Sequence, residues 1–295
     1  MSLFRRLRTS QVDRSLRVAS LFAVLTLGLI SAGCRPQDAP PTGVQTPDRA
    51  SDSHEHDHAG HGSGESGDAR LVLAAEPDPP VAGAPTTLRL MIHRADGSMV
   101  KEFGLVHEKQ VHLILVRKGL DEFAHLHPEV DEAGNGVVEH TFPLGGDYFV
   151  YADHQPAGDR QATAKATLRV EGDSPSAPKL APDVPGRVSG DGLSADVAIE
   201  VTGEGEARSI AFALSDAEGK LVADLEPYLG ALGHLVIVSE NGQEYVHAHP
   251  QEERDAKDGY VAFEAHFTKP GLYKGWGQFQ RAGEVLTVPF VVRVE

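Results

Sequence analysis

Two stretches of the chain carry histidines at one spacing. His112 is followed by His125 and His127, and His234 is followed at the same intervals by His247 and His249. Neutral imidazole is a good ligand for zinc, copper and nickel, so three such rings on one face form a candidate metal site. The His-x-His spacing puts both rings on one side of a β-strand, because strand side chains alternate. The chain holds 15 His and a single Cys. That ratio excludes a disulfide framework, an iron–sulfur protein, a thiolate zinc finger and a blue-copper site, all of which need cysteine. Apart from Met1, the methionines are Met91 and Met99 alone, which argues against a thioether Cu(I) site.

The two histidine sets belong to a duplication. A shift of 122 positions lays Ala95-Asp96-Gly97 on Ala217-Glu218-Gly219, His112-Leu113 on His234-Leu235, and His125, His127 and Pro128 on His247, His249 and Pro250. A three-residue insertion then moves the offset to 125, so that Gly146 meets Gly271 and Tyr148 meets Tyr273. An ungapped internal match of this length marks two copies of one domain, at a period far too long for a solenoid.

The elements that must position the histidines are strands. Asn241-Gly242 between two apolar runs predicts a hairpin with a two-residue turn, which sets His234 opposite His249 with His247 as its diagonal neighbour. Duplication transfers that register, setting His112 opposite His127 beside His125. Pro128 and Pro250 stop the second strand, placing each triad at the end of the hairpin away from its turn. Ile114, Val116 and Phe123 continue the same face, an expected apolar floor. His107, Asp153 and His154 are possible accessory ligands in the first copy, whereas Gln278 and Phe279 stand at the positions of Asp153 and His154 in the second. The first site is therefore expected to be the richer in ligands. A plainer reading keeps the histidines as braces bonded to backbone carbonyls. Trp276 and Tyr228 read as sandwich packing, with Gly275 and Gly277 easing a bend. His93, His140 and His266 read as structural or solvent-facing.

The predicted fold is all-β: two tandem immunoglobulin-like or cupredoxin-like β-sandwich domains, at 69–172 and 188–295, each of short, turn-bounded strands. A Pro-rich linker over 173–187 separates them. The N-terminus reads as a lipoprotein signal over 1–33: five arginines, an apolar stretch from Val18 to Ile30, then small residues before Cys34. Cys34 is the expected lipidation (palmitate-bearing) site, and Arg35 after it favours the outer over the inner membrane of the bacterial envelope, facing the periplasm. Residues 34–68 read as a disordered tether in which His54, His56, His58 and His61, among acidic neighbours, would capture metal weakly. The formal charge is −16, and losing the leader (five Arg, one Asp) leaves −20. Such a balance excludes a nucleic-acid partner.

His112-Leu113 with Phe123-Ala124-His125-Leu126-His127-Pro128, repeated as His234-Leu235 with Tyr245-Val246-His247-Ala248-His249-Pro250, resembles the YtkA-like family and related secreted bacterial proteins. The resemblance covers both copies and implies a compact extracytoplasmic β-domain linked to heavy-metal handling, especially of copper. The expected function is a lipid-anchored carrier or buffer of Cu(II) or Zn(II), serving an envelope protein partner. The alternative is a non-metal structural or interaction lipoprotein. A metalloenzyme is disfavoured: the strand motif is like that of copper–zinc superoxide dismutase or multicopper oxidases, without their further ligands or cysteines. No serine–histidine–acid motif or nucleotide fingerprint is present.

Overall fold

The computed structural model describes residues 69–202, 207–250 and 259–295. Cys34, the signal segment and the tether histidines lie outside these residues. The described residues fall within one compact unit and form 16 strands, with no helix among them. Repeat 1 supplies β1 (Arg70–Glu76), β2 (Pro85–His93), β3 (Val111–Arg117), β4 (Phe123–Leu126), β5 (Glu129–Val130), β6 (Gly136–Thr141), β7 (Gly146–His154) and β8 (Ala162–Val170). Repeat 2 supplies β9 (Gly186–Gly190), β10 (Leu193–Val201), β11 (Ala207–Ser215), β12 (His234–Ser239), β13 (Tyr245–Ala248), β14 (Tyr260–His266), β15 (Gly271–Arg281) and β16 (Glu284–Val294).

The duplication holds strand for strand. The order β4-β3-β7-β8 in repeat 1 recurs as β13-β12-β15-β16 in repeat 2, and β1-β2-β6 recurs as β10-β11-β14. In repeat 1 all eight strands are joined into one sheet by a single parallel bridge from β1 to β8, whereas repeat 2 keeps two separate four-stranded sheets. The two halves of each repeat face one another across an apolar core. Leu88, Leu90, Leu113, Leu115 and Val150 fill it in repeat 1, and Phe212, Leu235, Ile237, Phe263 and Phe290 in repeat 2. Tandem β-sandwiches are thus the architecture of the described chain.

β1, β5 and β9 go beyond the strands that the sequence pattern predicts. β1 precedes a Pro-rich run that hides its strand pattern, although its counterpart β10 is legible. β9 starts inside the expected linker. That linker is not a bare spacer: Val184 enters the core of repeat 2, and Leu180 packs between the repeats. The Arg117 guanidinium holds Ser174 Oγ at 2.9 Å and the Pro175 carbonyl at 2.7 Å.

β3 and β12 are buried on both faces. One face of each feeds its own sandwich core. The other carries Ile114 and Val116 in β3, and Val236 and Val238 in β12, into a third apolar cluster with Leu120, Tyr151 and Trp276. Burying one aliphatic side chain is worth roughly 1.5–3 kcal/mol, so such faces do not remain in water. The expected floor of each site is therefore the seam between the two repeats. Phe123 stacks on Trp276 with centroids 4.7 Å apart, and Tyr245, the counterpart of Phe123, stacks on Tyr151, the counterpart of Trp276, at 4.6 Å. Trp276 accordingly packs between domains rather than inside a sandwich. Gly275 and Gly277 make room for core rings: a Cβ on Gly275 would strike the Phe290 ring, and one on Gly277 would crowd Phe212 and Phe279.

Candidate metal centre

The register around the histidines is fixed by the ladders. β3 pairs with β4 through Leu113↔Leu126 and Ile114↔His125, and β12 pairs with β13 through Leu235↔Ala248 and Val236↔His247. Extending each ladder by one residue sets His112 opposite His127 and His234 opposite His249. On their other sides His112 pairs with Asp153 and His234 with Gln278.

The expectation of two separate triads is corrected by the packing of the repeats. The histidines share a face with the seam residues, so closing the seam brings both triads together. The rings of His112 and His247 are 5.1 Å apart, those of His125 and His247 5.4 Å, and those of His125 and His234 6.3 Å. His107 joins them, stacked on His249 at 3.2 Å between centroids. Seven histidines therefore form one cluster across the seam. Two subsets have ligand atoms within 4.8 Å of one another: His112, His125 and His247, and His234, His247 and His249.

Four rings are oriented by bonds on their outer nitrogens. His112 donates Nε2–H to the Val106 carbonyl at 2.8 Å, and His234 donates Nε2–H to the Tyr228 carbonyl at 2.8 Å. His125 donates Nδ1–H to Gln278 Oε1 at 2.7 Å, and His247 donates Nδ1–H to Asp153 Oδ2 at 2.9 Å. The last two bonds cross the seam in opposite directions, since Gln278 and Asp153 are counterparts in the duplication. Each ring thus turns a bare lone pair inward, the arrangement by which outer hydrogen bonds fix the tautomer of a metal-ligating histidine. His112 Nδ1 and His125 Nε2 face each other at 2.9 Å. His247 Nε2 and His234 Nδ1 are buried with no hydrogen-bond partner.

The turns that present Val106 and Tyr228 are also equivalent. His107 and Glu108 have φ of 46° and 64°, and Leu229 and Gly230 have φ of 50° and 76°. Both turns are closed by 2.8 Å backbone bonds, Val106 N–H to the Lys109 carbonyl and Tyr228 N–H to the Ala231 carbonyl. A left-handed conformation at two successive non-glycine residues is costly, and here it carries His107 onto the cluster.

Burial sets the charge state. It pushes His125 and His247 well below the ordinary histidine range, reinforced by neighbouring rings, and brings His127 and His234 down to about 4. His112 is lowered by burial, partly offset by its bond to Val106. These five rings are neutral at pH 7 and available as ligands. Burial raises the Asp153 carboxyl, which also accepts from Gln161 Nε2 at 3.0 Å; a cation in the cluster would favour its ionised form.

His154 does not join the cluster. As the residue after Asp153 it faces the other side of β7, bonding the Ala152 carbonyl at 3.0 Å and meeting the Phe103 ring. His93 bonds the Gly97 carbonyl, His140 packs edge-on to Phe142, and His266 pairs with Glu264. Sequence reasoning did not find the Val106 and Tyr228 carbonyls as acceptors for His112 and His234, nor Gln161 as a donor to Asp153. Their alignment as turn equivalents at the offset of 122 was the available signal.

The model of a domain of unknown function, DUF8832, matches twice, over residues 66–172 and 187–295. No curated protein matches the chain. Among solved structures, similarity extends to a tetra-tandem repeat in the extending region of a large adhesion protein, at 10% identity and TM-score 0.27, over 77% of this chain and 49% of that one. It extends also to the Escherichia coli adhesin FdeC, at 15% identity and TM-score 0.25, over 77% and 64% of the two chains. A carbohydrate-binding module of the β-sandwich superfamily is similar at 10% identity and TM-score 0.22, over 78% and 100%. This chain thus spans about half the length of the first structure and less than two thirds of the second.

Proposed function

The chain belongs to the DUF8832 family, and we propose that its two repeats jointly hold a transition-metal ion, Cu(II) or Zn(II), in a lipid-anchored carrier or buffer of the bacterial envelope. The observation that carries this reading is the 2.9 Å approach of His112 Nδ1 to His125 Nε2. Both rings commit their N–H to an outer acceptor, so two lone pairs face each other. A shift of tautomer in either ring would relieve that repulsion only by turning a lone pair onto the Val106 carbonyl or Gln278 Oε1; a cation between the rings relieves it with both outer bonds kept, and burial disfavours a proton in the role. With metal–nitrogen bonds of ~2.0–2.1 Å, a 2.9 Å separation corresponds to a ligand–metal–ligand angle of about 90°. The resemblance to YtkA-like proteins, Cys34 and the histidines of the tether support an extracytoplasmic setting for such chemistry.

The bracing alternative draws on the bonds of His112 and His234 to carbonyls. It leaves His247 Nε2 and His234 Nδ1 buried without purpose, a cost of about 1–3 kcal/mol each. Calorimetric titration of the purified protein with Cu(II) or Zn(II) separates the readings. Saturable binding is expected, with its tightest phase lost when His112→Gln and His247→Gln are combined. An absence of binding, or a tight phase indifferent to that pair, would return the histidines to a structural role.

A further inference from the structure

We infer that the cluster holds one ion in either of two alternative triads that pivot on His247, an inference that rests on the metal-binding reading above. His247 belongs to both ligand groups, His112–His125–His247 and His234–His247–His249. Its Nδ1–H is committed to Asp153, so it has one lone pair to give, at Nε2. That lone pair cannot serve two ions together. All groups in the two triads are imidazoles, which add no negative charge to offset a pair of neighbouring dications, and the repulsion between two dications is fourfold that between unit charges at the same distance. Two ions, one per repeat, is what duplication alone would suggest; the shared ligand selects one.

The triads differ in what they connect. His112 and His125 come from repeat 1 and His247 from repeat 2, so an ion there bridges the seam. His234, His247 and His249 all come from repeat 2, so an ion there leaves repeat 1 unligated. An ion passes between the two by exchanging His112 and His125 for His234 and His249 while His247 stays bound. The outer bonds make this possible with little rearrangement, since His112, His234, His125 and His247 are already held with their free nitrogens turned inward. Such an exchange lets a carrier combine retention with release, because the ion is never without a ligand while it leaves the seam.

The test uses the full chain with His54, His56, His58 and His61 changed to Ala, so that the tether binds nothing. Co(II) and Cu(II) are the probes, read by ion count in native mass spectrometry, by chelator competition, and by the Co(II) visible and Cu(II) paramagnetic resonance spectra. One tightly held ion per chain is expected. The pair variants His112→Gln/His125→Gln and His234→Gln/His249→Gln should each keep one ion, with two distinct spectra. His247→Gln should weaken binding by more than about 100-fold, beyond the range for loss of an outer hydrogen-bond partner. Two tight ions per chain, or complete loss in either pair variant, would overturn the pivot while leaving metal binding intact. No ion in the tether-silenced parent would instead sink the metal-binding reading itself. If His247→Gln does not fold, the ion count and the two pair-variant spectra still decide.

Discussion

Asp153 of repeat 1 accepts a hydrogen bond from His247 of repeat 2 at 2.9 Å, inside a seam where both side chains are almost wholly buried. The carboxylate sits opposite His112 on its own sheet, yet it orients a ring on the other repeat. Asp153→Asn keeps the shape and an acceptor oxygen but removes the negative charge that a bound cation would feel. Affinity for Zn(II) should fall by roughly 10- to 100-fold, as for other outer partners of metal-binding histidines, without loss of fold. Chelator competition with circular dichroism on the same samples checks this, and an unchanged affinity would remove Asp153 from the site.

Acid should loosen the metal-free protein before it protonates ordinary carboxylates. His234, fully buried, titrates at about 4 in the folded chain against an ordinary 6.5. Its depressed value means that the unfolded chain binds a proton first as pH falls. The stabilising contribution is therefore complete above pH 6.5 and is lost progressively down to about 4, where the folded chain also takes up the proton. For this histidine the loss is on the order of 3 kcal/mol. Urea unfolding of the chelator-treated protein at successive pH values should show it, and His234→Gln should flatten the slope.

The fold and the registers were legible because they are local. Duplication and the His-x-His alternation fix which rings share a face, and the ladders Ile114↔His125 and Val236↔His247 follow the expected register, although the turn closes one residue earlier than expected, from Gly242 N–H to the Ser239 carbonyl. What was not legible is which surface covers that face. The runs from Leu113 to Val116 and from Leu235 to Val238 are apolar on both faces, which in a strand signals cover on both sides. Their covering partner is the other copy, and no pattern within one copy names it. The same gap misplaced Trp276, and it made Gln278 look like a lost ligand when it is the acceptor for His125. His154 failed for a simpler reason: it neighbours Asp153, and adjacent strand residues face opposite ways.

The aromatic pairs that close the seam should carry much of its stability. Trp276 is buried against Phe123, with the rings nearly parallel at 10°. Trp276→Ala removes a large buried side chain and should cost about 3–5 kcal/mol. Because the seam also aligns the histidines, metal affinity should fall in the same variant, although the ring contact of Trp276 is with Phe123 and not with a ligand. Tyr245→Phe keeps the stack on Tyr151 and should do far less to either property. Equal metal affinity in Trp276→Ala and the unaltered protein would mean that the cluster assembles without the seam.

Metal should in turn stabilise the fold. An ion that binds the folded chain and not the unfolded one adds about 2.7 kcal/mol when its concentration is 100 times Kd. At roughly 2–4 °C per kcal/mol for a unit of this size, thermal unfolding should rise by about 5–10 °C with Zn(II) and fall back with chelator. The gain should vanish at pH values where the ligand rings are protonated in competition with the ion, since each bound nitrogen must first be free of its proton. Amide exchange should slow most in β3 and β12, which carry His112 and His234 and are buried between the two repeats. A melting temperature indifferent to Zn(II) and chelator in the tether-silenced chain would count against any ion in the seam.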